Sequence, residues 1–375
     1  MRVILTGGGT GGHFYPLIAV ARSLRDLADS KKILNFELIY ASNEPYDPKI
    51  LKEEEIRFLK IPAGKIRRYF SIWNLFDPFK TFFGVIRAIF AVYFNFPDVI
   101  FAKGGYASFP ALFAARLFGV PVILHETDSV PGKVTRWASK FAKRIAISFP
   151  EAAKYFPKEK TALVGNPVRR EVVGGTWDEA RDLFNLETGL PVVFVMGGSQ
   201  GSEKINDLIL DILPELLKFS QAIHQTGENN FEVSRSRAKI VLGSSPLAPR
   251  YHQKKFLDEE QYRNASRAAD VIVSRAGGGS IFEIAAWGVP AILIPLPSSA
   301  QDHQRENAYA YARAGAAEVI EEQNLTSHIL LDRIRRMIED KARSEKMSAS
   351  ARNFSKLDGA DKIAAEILAL TLEHS

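Results

Sequence analysis

Two stretches far apart in this chain repeat each other in the same order. Asp98-Val-Ile-Phe-Ala-Lys-Gly-Gly-Tyr-Ala-Ser-Phe-Pro110 runs through an apolar segment into Gly119-Val-Pro-Val-Ile-Leu124. Asp270-Val-Ile-Val-Ser-Arg-Ala-Gly-Gly-Gly-Ser-Ile-Phe-Glu283 runs likewise into Gly288-Val-Pro and the apolar Ala291–Pro295. A second pair links Val3-Ile-Leu-Thr-Gly-Gly-Gly-Thr-Gly-Gly12 with Val193-Phe-Val-Met-Gly-Gly-Ser-Gln-Gly201. Each stretch reads as a short buried strand, a glycine loop and a helix, the unit from which parallel α/β sheets are built. The repeated order predicts two similar doubly wound α/β domains facing each other.

Glycines ahead of a helix leave its first backbone N–H groups bare and let a ligand approach, which suits a diphosphate. The helix starting near Ser280 offers such an end. Glu283, about one turn in, either accepts hydrogen bonds from a sugar diol or only complements the helix dipole. Gly7, Gly9 and Gly12 fit a GxGxxG spacing, a weak signal alone. A dinucleotide enzyme carries an acid at the end of its second strand; strand Phe36–Ala41 runs instead into Ser42-Asn-Glu44. No Gly-Lys-Ser/Thr follows the loop, which argues against a P-loop nucleotidase. His13, where loop becomes helix, either faces a cleft or packs under the loop.

At 375 residues the chain has room for two cores. Its 46% hydrophobic and 25% charged content is that of an ordinary soluble protein. The absence of cysteine rules out disulfides and thiolate metal sites and points to an intracellular life. A formal charge of +6 and a pI near 9.2 favour an anionic partner. A strand beginning at Arg2 leaves no room for a signal peptide.

Between Ile66 and Phe96, Arg67, Arg68, Lys80 and Arg87 alternate with Tyr69, Phe70, Trp73, Phe76, Phe79, Phe82, Phe83, Phe90, Tyr93, Phe94 and Phe96. Lys80, Gly84 and Arg87 interrupt any run of the roughly 20 apolar residues that spanning a membrane requires. An interfacial surface fits better, aromatic rings entering lipid and basic groups meeting headgroups. An amphipathic core helix over Thr81–Phe94 is the plainer reading. We expect a mixture, with the inner face in the core and Tyr69–Phe83 exposed. Binding of single-stranded nucleic acid is a minor option on a glycine-loop scaffold.

Strand Val122–Leu124 ends in His125-Glu-Thr-Asp128, where open α/β sheets bind ligands. His125, Glu126 and Asp128 suit acid–base chemistry, while Asp128 or Ser129 equally suits helix capping. The turn-rich Val164–Arg169 marks the domain boundary, giving domains over 1–165 and 166–355, with the helix over 356–375 crossing back to the first. His224-Gln-Thr-Gly227, Phe256-Leu-Asp258 and Gln301–Asn307 lie near expected strand ends. With no DxD pair to bring in a cation, helix dipoles and N–H groups are left to stabilise a departing phosphate.

These motifs together resemble the MurG family of N-acetylglucosaminyltransferases, which complete lipid II in peptidoglycan synthesis. The resemblance runs through Gly8–His13, Gly104–Ser108, His125-Glu126, Gly165–Arg169, Gly197–Gly201, His224–Gly227, Ser274–Gly277 with Glu283, and Asp302–Gln304 with Asn307-Ala308. It implies a GT-B fold, UDP-N-acetylglucosamine as donor, lipid I as acceptor, inversion at the anomeric carbon, and neither metal nor cofactor. It also implies peripheral attachment to the anionic cytoplasmic face of the membrane, contacts with other cell-wall synthesis or division proteins, and no nucleic-acid partner.

Carried over by position, the resemblance places Ser199 and the helix start Gly277, Gly278, Gly279 and Ser280 at the diphosphate, with Gln200 and Arg275 also in the donor site. Leu257 meets the uracil through its backbone, Glu283 the ribose, and His303 and Gln304 the sugar hydroxyls. Arg169 matches a donor-site arginine. Thr10, Gly11, Gly12 and His13 face donor and acceptor, with Tyr106 and Ser108 on the acceptor side. Membrane docking falls to Arg67, Arg68, Trp73, Phe76, Phe79, Phe82 and Phe83. Where the family reads His-Glu-Gln-Asn, this chain reads His125-Glu-Thr-Asp128, so an acid stands at the amide that binds the sugar. His13 is the expected base, with Glu126 or Asp128 as its partner. A diacylglycerol-type glycosyltransferase is the nearest rival; a UDP-N-acetylglucosamine epimerase and an NAD-dependent dehydrogenase are more remote.

Overall fold

The structure, a computed structural model, describes residues 1–65, 73–198 and 201–373. The chain forms two compact units, Met1–Val168 with Lys356–Ser375, and Arg169–Ser355. Asn166, in the first unit, accepts at Oδ1 a hydrogen bond from the buried Lys103.

In the first unit a seven-stranded, wholly parallel sheet has the order β3-β2-β1-β4-β5-β6-β7. The strands are β1 Arg2–Thr6, β2 Glu37–Ser42, β3 Arg57–Lys60, β4 Val99–Ala102, β5 Val122–Glu126, β6 Arg144–Ile147 and β7 Thr161–Leu163. Side chains alternate between faces. Val3, Leu5, Val99 and Phe101 pack under helix Gly11–Ser30 and the last helix, Gly359–Glu373, through Phe14, Leu17, Ile363 and Ile367. Ile4, Ile100 and Ala102 face the other way, onto Ala88, Ala91 and Val92 of helix Trp73–Asn95 and Leu112 of helix Phe109–Phe118.

The second unit repeats the plan with a six-stranded parallel sheet, order β10-β9-β8-β11-β12-β13. Its strands are β8 Val192–Met196, β9 Gln221–Gln225, β10 Tyr251–Lys254, β11 Val271–Ser274, β12 Ala291–Leu293 and β13 Ala317–Val319. Val193, Val195, Val271 and Val273 share one face with Ile205, Ile209 and Leu213 of helix Glu203–Leu216.

The sequence repeats have a structural meaning. β1 and β4 adjoin in the first sheet, β8 and β11 in the second, and between them the strand order reverses. Open α/β sheets bind ligands beyond the carboxyl ends of strands at such a switch point. The repeated aspartates fasten the other end. Asp98 Oδ2 accepts the N–H of Arg2 at 2.6 Å, and Asp270 Oδ2 that of Val192 at 2.8 Å. Each repeat closes on a glycine, Gly119 (φ 70°) and Gly288 (φ 67°), that ends its helix in the left-handed conformation.

Candidate active site

The switch point of the first unit is built from three loops. After β1, Gly8 passes so close to Ser42 and Ala107 that a Cβ there would lie 2.4 Å from Ser42 Oγ. Gly9 runs against the ring of the half-buried Tyr106, which follows β4. Helix Gly11–Ser30 then starts without a side-chain cap, because the Thr10 hydroxyl lies 3.1 Å from His13 Nδ1 instead. His13 is half-buried, with Nε2 turned toward Gly105. The ring is therefore oriented by Thr10 through one nitrogen, and the other faces the end of the sheet. Ser108 is fully buried, and its hydroxyl donates to Gly105 O at 2.9 Å.

β5 delivers His125 and Glu126. His125 is wholly buried and locked: Lys103 Nζ lies 2.6 Å from Nδ1, and Nε2 lies 2.8 Å from Gly165 O. A carbonyl can only accept, so Nε2 carries the proton and Nδ1 is an acceptor. Burial, then the neighbouring Lys103, drives its pKa well below the ordinary histidine value. His125 is a neutral brace, not a proton carrier. Glu126 accepts the N–H groups of Asp128 (3.1 Å) and Gly132 (3.2 Å), shaping the loop that follows. Burial first and the Asp128 charge second raise its pKa. Asp128 is less buried than its neighbours, and the hydroxyl of the buried Thr127 has no hydrogen-bond partner among the described residues.

In the second unit helix Gly278–Trp287 has Gly277 at its N-cap, no side-chain cap and no acid in its first turn. A Cβ placed on Gly277 would meet nothing within 4 Å. The N–H groups of Gly278, Gly279 and Ser280 thus form an open, positively polarised end at the switch point. One turn on, Glu283 accepts the Tyr262 hydroxyl at 2.9 Å and lies 3.6 Å from Arg169 Nη2. Burial raises its pKa against the opposing pull of Arg169. Tyr262 and Arg169 thus hold the carboxylate from two sides. Arg169, itself buried, also donates to Glu259 at 2.9 Å.

Arg275 is buried, donating to Ser202 Oγ (3.1 Å) and Glu322 Oε2 (2.6 Å), so it ties loops together behind the helix start. The Leu257 N–H goes to Gln225 Oε1 at 3.0 Å. Gln304 Oε1 accepts the Leu296 N–H at 3.0 Å, leaving the amide donors of that side chain. His303 starts helix His303–Arg313 just after Gln301 and Asp302, both at positive φ. Asn307, buried on that helix, donates to Ala276 O at 3.4 Å. His224 is a packed histidine, 2.8 Å from the Tyr251 hydroxyl and 3.0 Å from Asn206 Oδ1, with its pKa pushed down to about 3 by burial. Ser199 and Gln200 lie outside the described residues. Sequence reasoning passed over Lys103, Asn166 and Tyr262. The basic position shared by the repeats, Lys103 and Arg275, was the visible signal for the first.

Helix Trp73–Asn95 buries Gly84, Ala88, Ala91 and Val92 and turns the opposite side outward. Phe76, Phe79, Phe82 and Phe83 are exposed, and so are Phe90, Tyr93, Phe94 and Phe96, the last two 70% exposed. Tyr93 meets Phe118 across the neighbouring helix, at 6.0 Å between ring centres. The exposed surface therefore continues well past Phe83, where it was expected to end. Among the described residues no helix is long and apolar enough to cross a membrane. Arg67, Arg68 and the Trp73 side chain lie outside the described residues.

Two parallel, Rossmann-like domains, each with an uncapped glycine-led helix at its switch point, define a GT-B architecture. Residues 3–147 match the model of the glycosyltransferase family 28 N-terminal domain, and residues 192–363 that of its C-terminal domain. A UDP-N-acetylglucosamine–N-acetylmuramyl-(pentapeptide) pyrophosphoryl-undecaprenol N-acetylglucosamine transferase from Treponema denticola is 36% identical, over 99% of this chain and 95% of its own. A transferase of the same name from Clostridium kluyveri is 35% identical over 93% and 95%. The chain belongs to glycosyltransferase family 28 and, within it, to the family of these N-acetylglucosamine transferases. The Acinetobacter baumannii MurG crystal structure superposes with a TM-score of 0.73 at 24% identity, covering 98% of this chain and 99% of that one. A UDP-GlcNAc 2-epimerase from Neisseria meningitidis reaches 0.68 at 16%, covering 98% and 100%. Fold alone therefore does not separate transferase from epimerase; the family match does.

Proposed function

We propose that this chain moves N-acetylglucosamine from UDP-N-acetylglucosamine to the C4 hydroxyl of the muramic sugar in lipid I, giving lipid II with inversion. The observation that carries the donor half is the bare N-terminus at Gly277–Ser280 with Glu283 one turn behind it. An anion gains most where unpaired N–H groups converge, and a carboxylate one turn away takes the paired hydroxyls of a ribose. Ser199 and Gln200 complete the diphosphate loop, the Leu257 carbonyl meets the base, and His303 and Gln304 hold the sugar. Arg169 fixes Glu283; Arg275 holds the loops.

The first unit takes the acceptor beside Thr10–Gly12 and Tyr106, with Ser108 supporting the Tyr106 turn from below. His13 accepts the proton of the attacking hydroxyl, imidazole being the side chain most often used as a general base near neutral pH. Glu126 shapes the adjoining loop, and Asp128 supplies negative charge there. The outward aromatic face from Phe76 to Phe96 seats the protein peripherally on the anionic cytoplasmic face of the membrane, where a lipid-linked acceptor resides. The test is transfer of labelled N-acetylglucosamine to lipid I by the wild type and by His13→Ala. We expect turnover to fall about 10²–10⁴-fold in the variant while UDP binding persists. Near-normal turnover in His13→Ala, with loss in Glu126→Gln or Asp128→Asn, would move the base to a carboxylate.

A further inference from the structure

Glu283 and Trp287 stand four residues apart on helix Gly278–Trp287, so both project from one face of it. Glu259 and Tyr262 are paired in the same way, three apart, on helix Glu259–Ala268. The two pairs meet. Tyr262 donates its hydroxyl to Glu283 at 2.9 Å, and the Trp287 ring meets the Tyr262 ring edge-on, centres 4.9 Å apart and planes at 78°. Phe194 of β8 backs both rings, at 5.9 Å from Tyr262 and 6.2 Å from Trp287. The half-buried Trp287 also donates its indole N–H to Val172 O at 2.7 Å. Val172 is fully buried and closes a single turn with Arg169, its N–H donating to Arg169 O at 3.4 Å. Arg169 in turn reaches Glu259 at 2.9 Å and Glu283 at 3.6 Å. Trp287 thus touches both routes by which the protein holds the Glu283 carboxylate.

We propose that Trp287 is a positioning residue for the donor's ribose: its indole sets Tyr262 by packing and Arg169 through the Val172 turn, and so fixes the Glu283 carboxylate. A carboxylate has about four lone-pair sites. Tyr262 takes one on Oε2 and Arg169 approaches Oε1, so these two contacts aim the sites that remain. A glutamate side chain left free to rotate would be ordered only on binding, at a cost in affinity. Tryptophan suits this place for two physical reasons. Its ring packs edge-on against an aromatic neighbour, and its N–H donates to the carbonyl of a buried residue. Phenylalanine keeps the first without the second, and leucine keeps neither.

This inference rests on the proposed contact of Glu283 with the ribose, and two ligands keep the two claims apart: UDP, and 2′,3′-dideoxy-UDP, which lacks the diol. Calorimetry is run on the wild type, Trp287→Phe, Glu283→Ala and the double variant. Trp287→Phe should weaken UDP binding about three- to tenfold, the scale of one lost hydrogen bond, and leave 2′,3′-dideoxy-UDP binding unchanged. In the Glu283→Ala background it should cost nothing further, because no carboxylate remains to be positioned. Trp287→Leu, which also loses the ring contact, should weaken UDP binding more than Trp287→Phe does. Should Trp287→Phe not fold, the benzothiophene analogue of tryptophan incorporated at position 287 removes the N–H donor alone. An unchanged UDP Kd in the variant lacking the N–H, equal losses for both nucleotides, or a full further loss in the Glu283→Ala background would overturn the proposal. If Glu283→Ala itself bound UDP normally, the ribose reading would fail first and the proposal with it.

Discussion

Tyr262 donates its hydroxyl to Glu283 Oε2 at 2.9 Å, and Arg169 approaches the other carboxylate oxygen at 3.6 Å. The carboxylate is thus oriented from two sides by the protein itself. Glu283→Ala should weaken UDP-sugar binding roughly ten- to a hundredfold, since hydrogen bonds to a carboxylate contribute about 1.5–3 kcal/mol. Tyr262→Phe, which loses the orienting bond together with the hydroxyl's 3.4 Å contact with Met196 Sδ, should weaken it several-fold. Calorimetry with UDP-N-acetylglucosamine makes the comparison, and an unchanged Kd in folded Glu283→Ala would leave only the helix-dipole role.

The glycine loop after β8 is held by shape. Gly201 has φ 77°, and a Cβ there would lie 2.3 Å from Thr226 O. Gly201→Ala combines a left-handed backbone with a backbone clash, so it should lower stability by about 1–3 kcal/mol and weaken UDP binding. Thermal unfolding with and without UDP checks this; an unchanged Tm would mean the loop adjusts freely.

Glu126 gives a pH-dependent stability. Burial and Asp128 raise its folded pKa from the ordinary 4.5 to about 7, so the folded protein holds a proton the unfolded chain has released between those values. Its contribution therefore falls as pH rises through that window. Lys103 works in the opposite direction: burial lowers its pKa to about 7, and stability is lost as pH falls from the usual lysine range toward that value. Glu126→Gln should flatten the dependence of Tm on pH between about 4.5 and 7 and leave it unchanged at more alkaline pH. A slope equal to that of the wild type would show that Glu126 does not titrate in this range.

The aromatic face predicts vesicle binding. Phe79→Ser with Phe82→Ser should weaken binding to anionic phosphatidylglycerol vesicles about tenfold or more, since each buried phenyl ring contributes roughly 1.5–3 kcal/mol. Phe90→Ser with Phe94→Ser should do the same, which the shorter expected patch would not require. Transfer to a short-chain, water-soluble acceptor should survive in both. Indifference of both variants to lipid would assign this face to a protein contact.

Much of this architecture was legible because the physics that sets it is local and repeated. The Asp-Val-Ile strands, the glycine turns and the Gly-Val-Pro exits reappear with the same roles: strand fastening by Asp98 and Asp270, helix termination by Gly119 and Gly288. Glu283 stood out because its helix start was bare of competing caps. What the sequence hid depends on burial and on partners distant in the chain. His125 looks like a proton carrier until Lys103 and Gly165 are seen on its two nitrogens. Tyr262 and Arg169 reach Glu283 from other elements. The outer face of helix Trp73–Asn95 was underestimated because its apolar residues cover more than one side, so periodicity did not say which would meet the sheet.

The account stands or falls on what accepts the sugar. Purified protein is given labelled UDP-N-acetylglucosamine together with lipid I, with diacylglycerol, or with no acceptor, and the lipid products and recovered donor are analysed. We predict label in lipid I alone, joined through an inverted β-linkage, with the donor unchanged when no acceptor is present. Label in diacylglycerol instead of lipid I, or a donor sugar epimerised without acceptor, would contradict it.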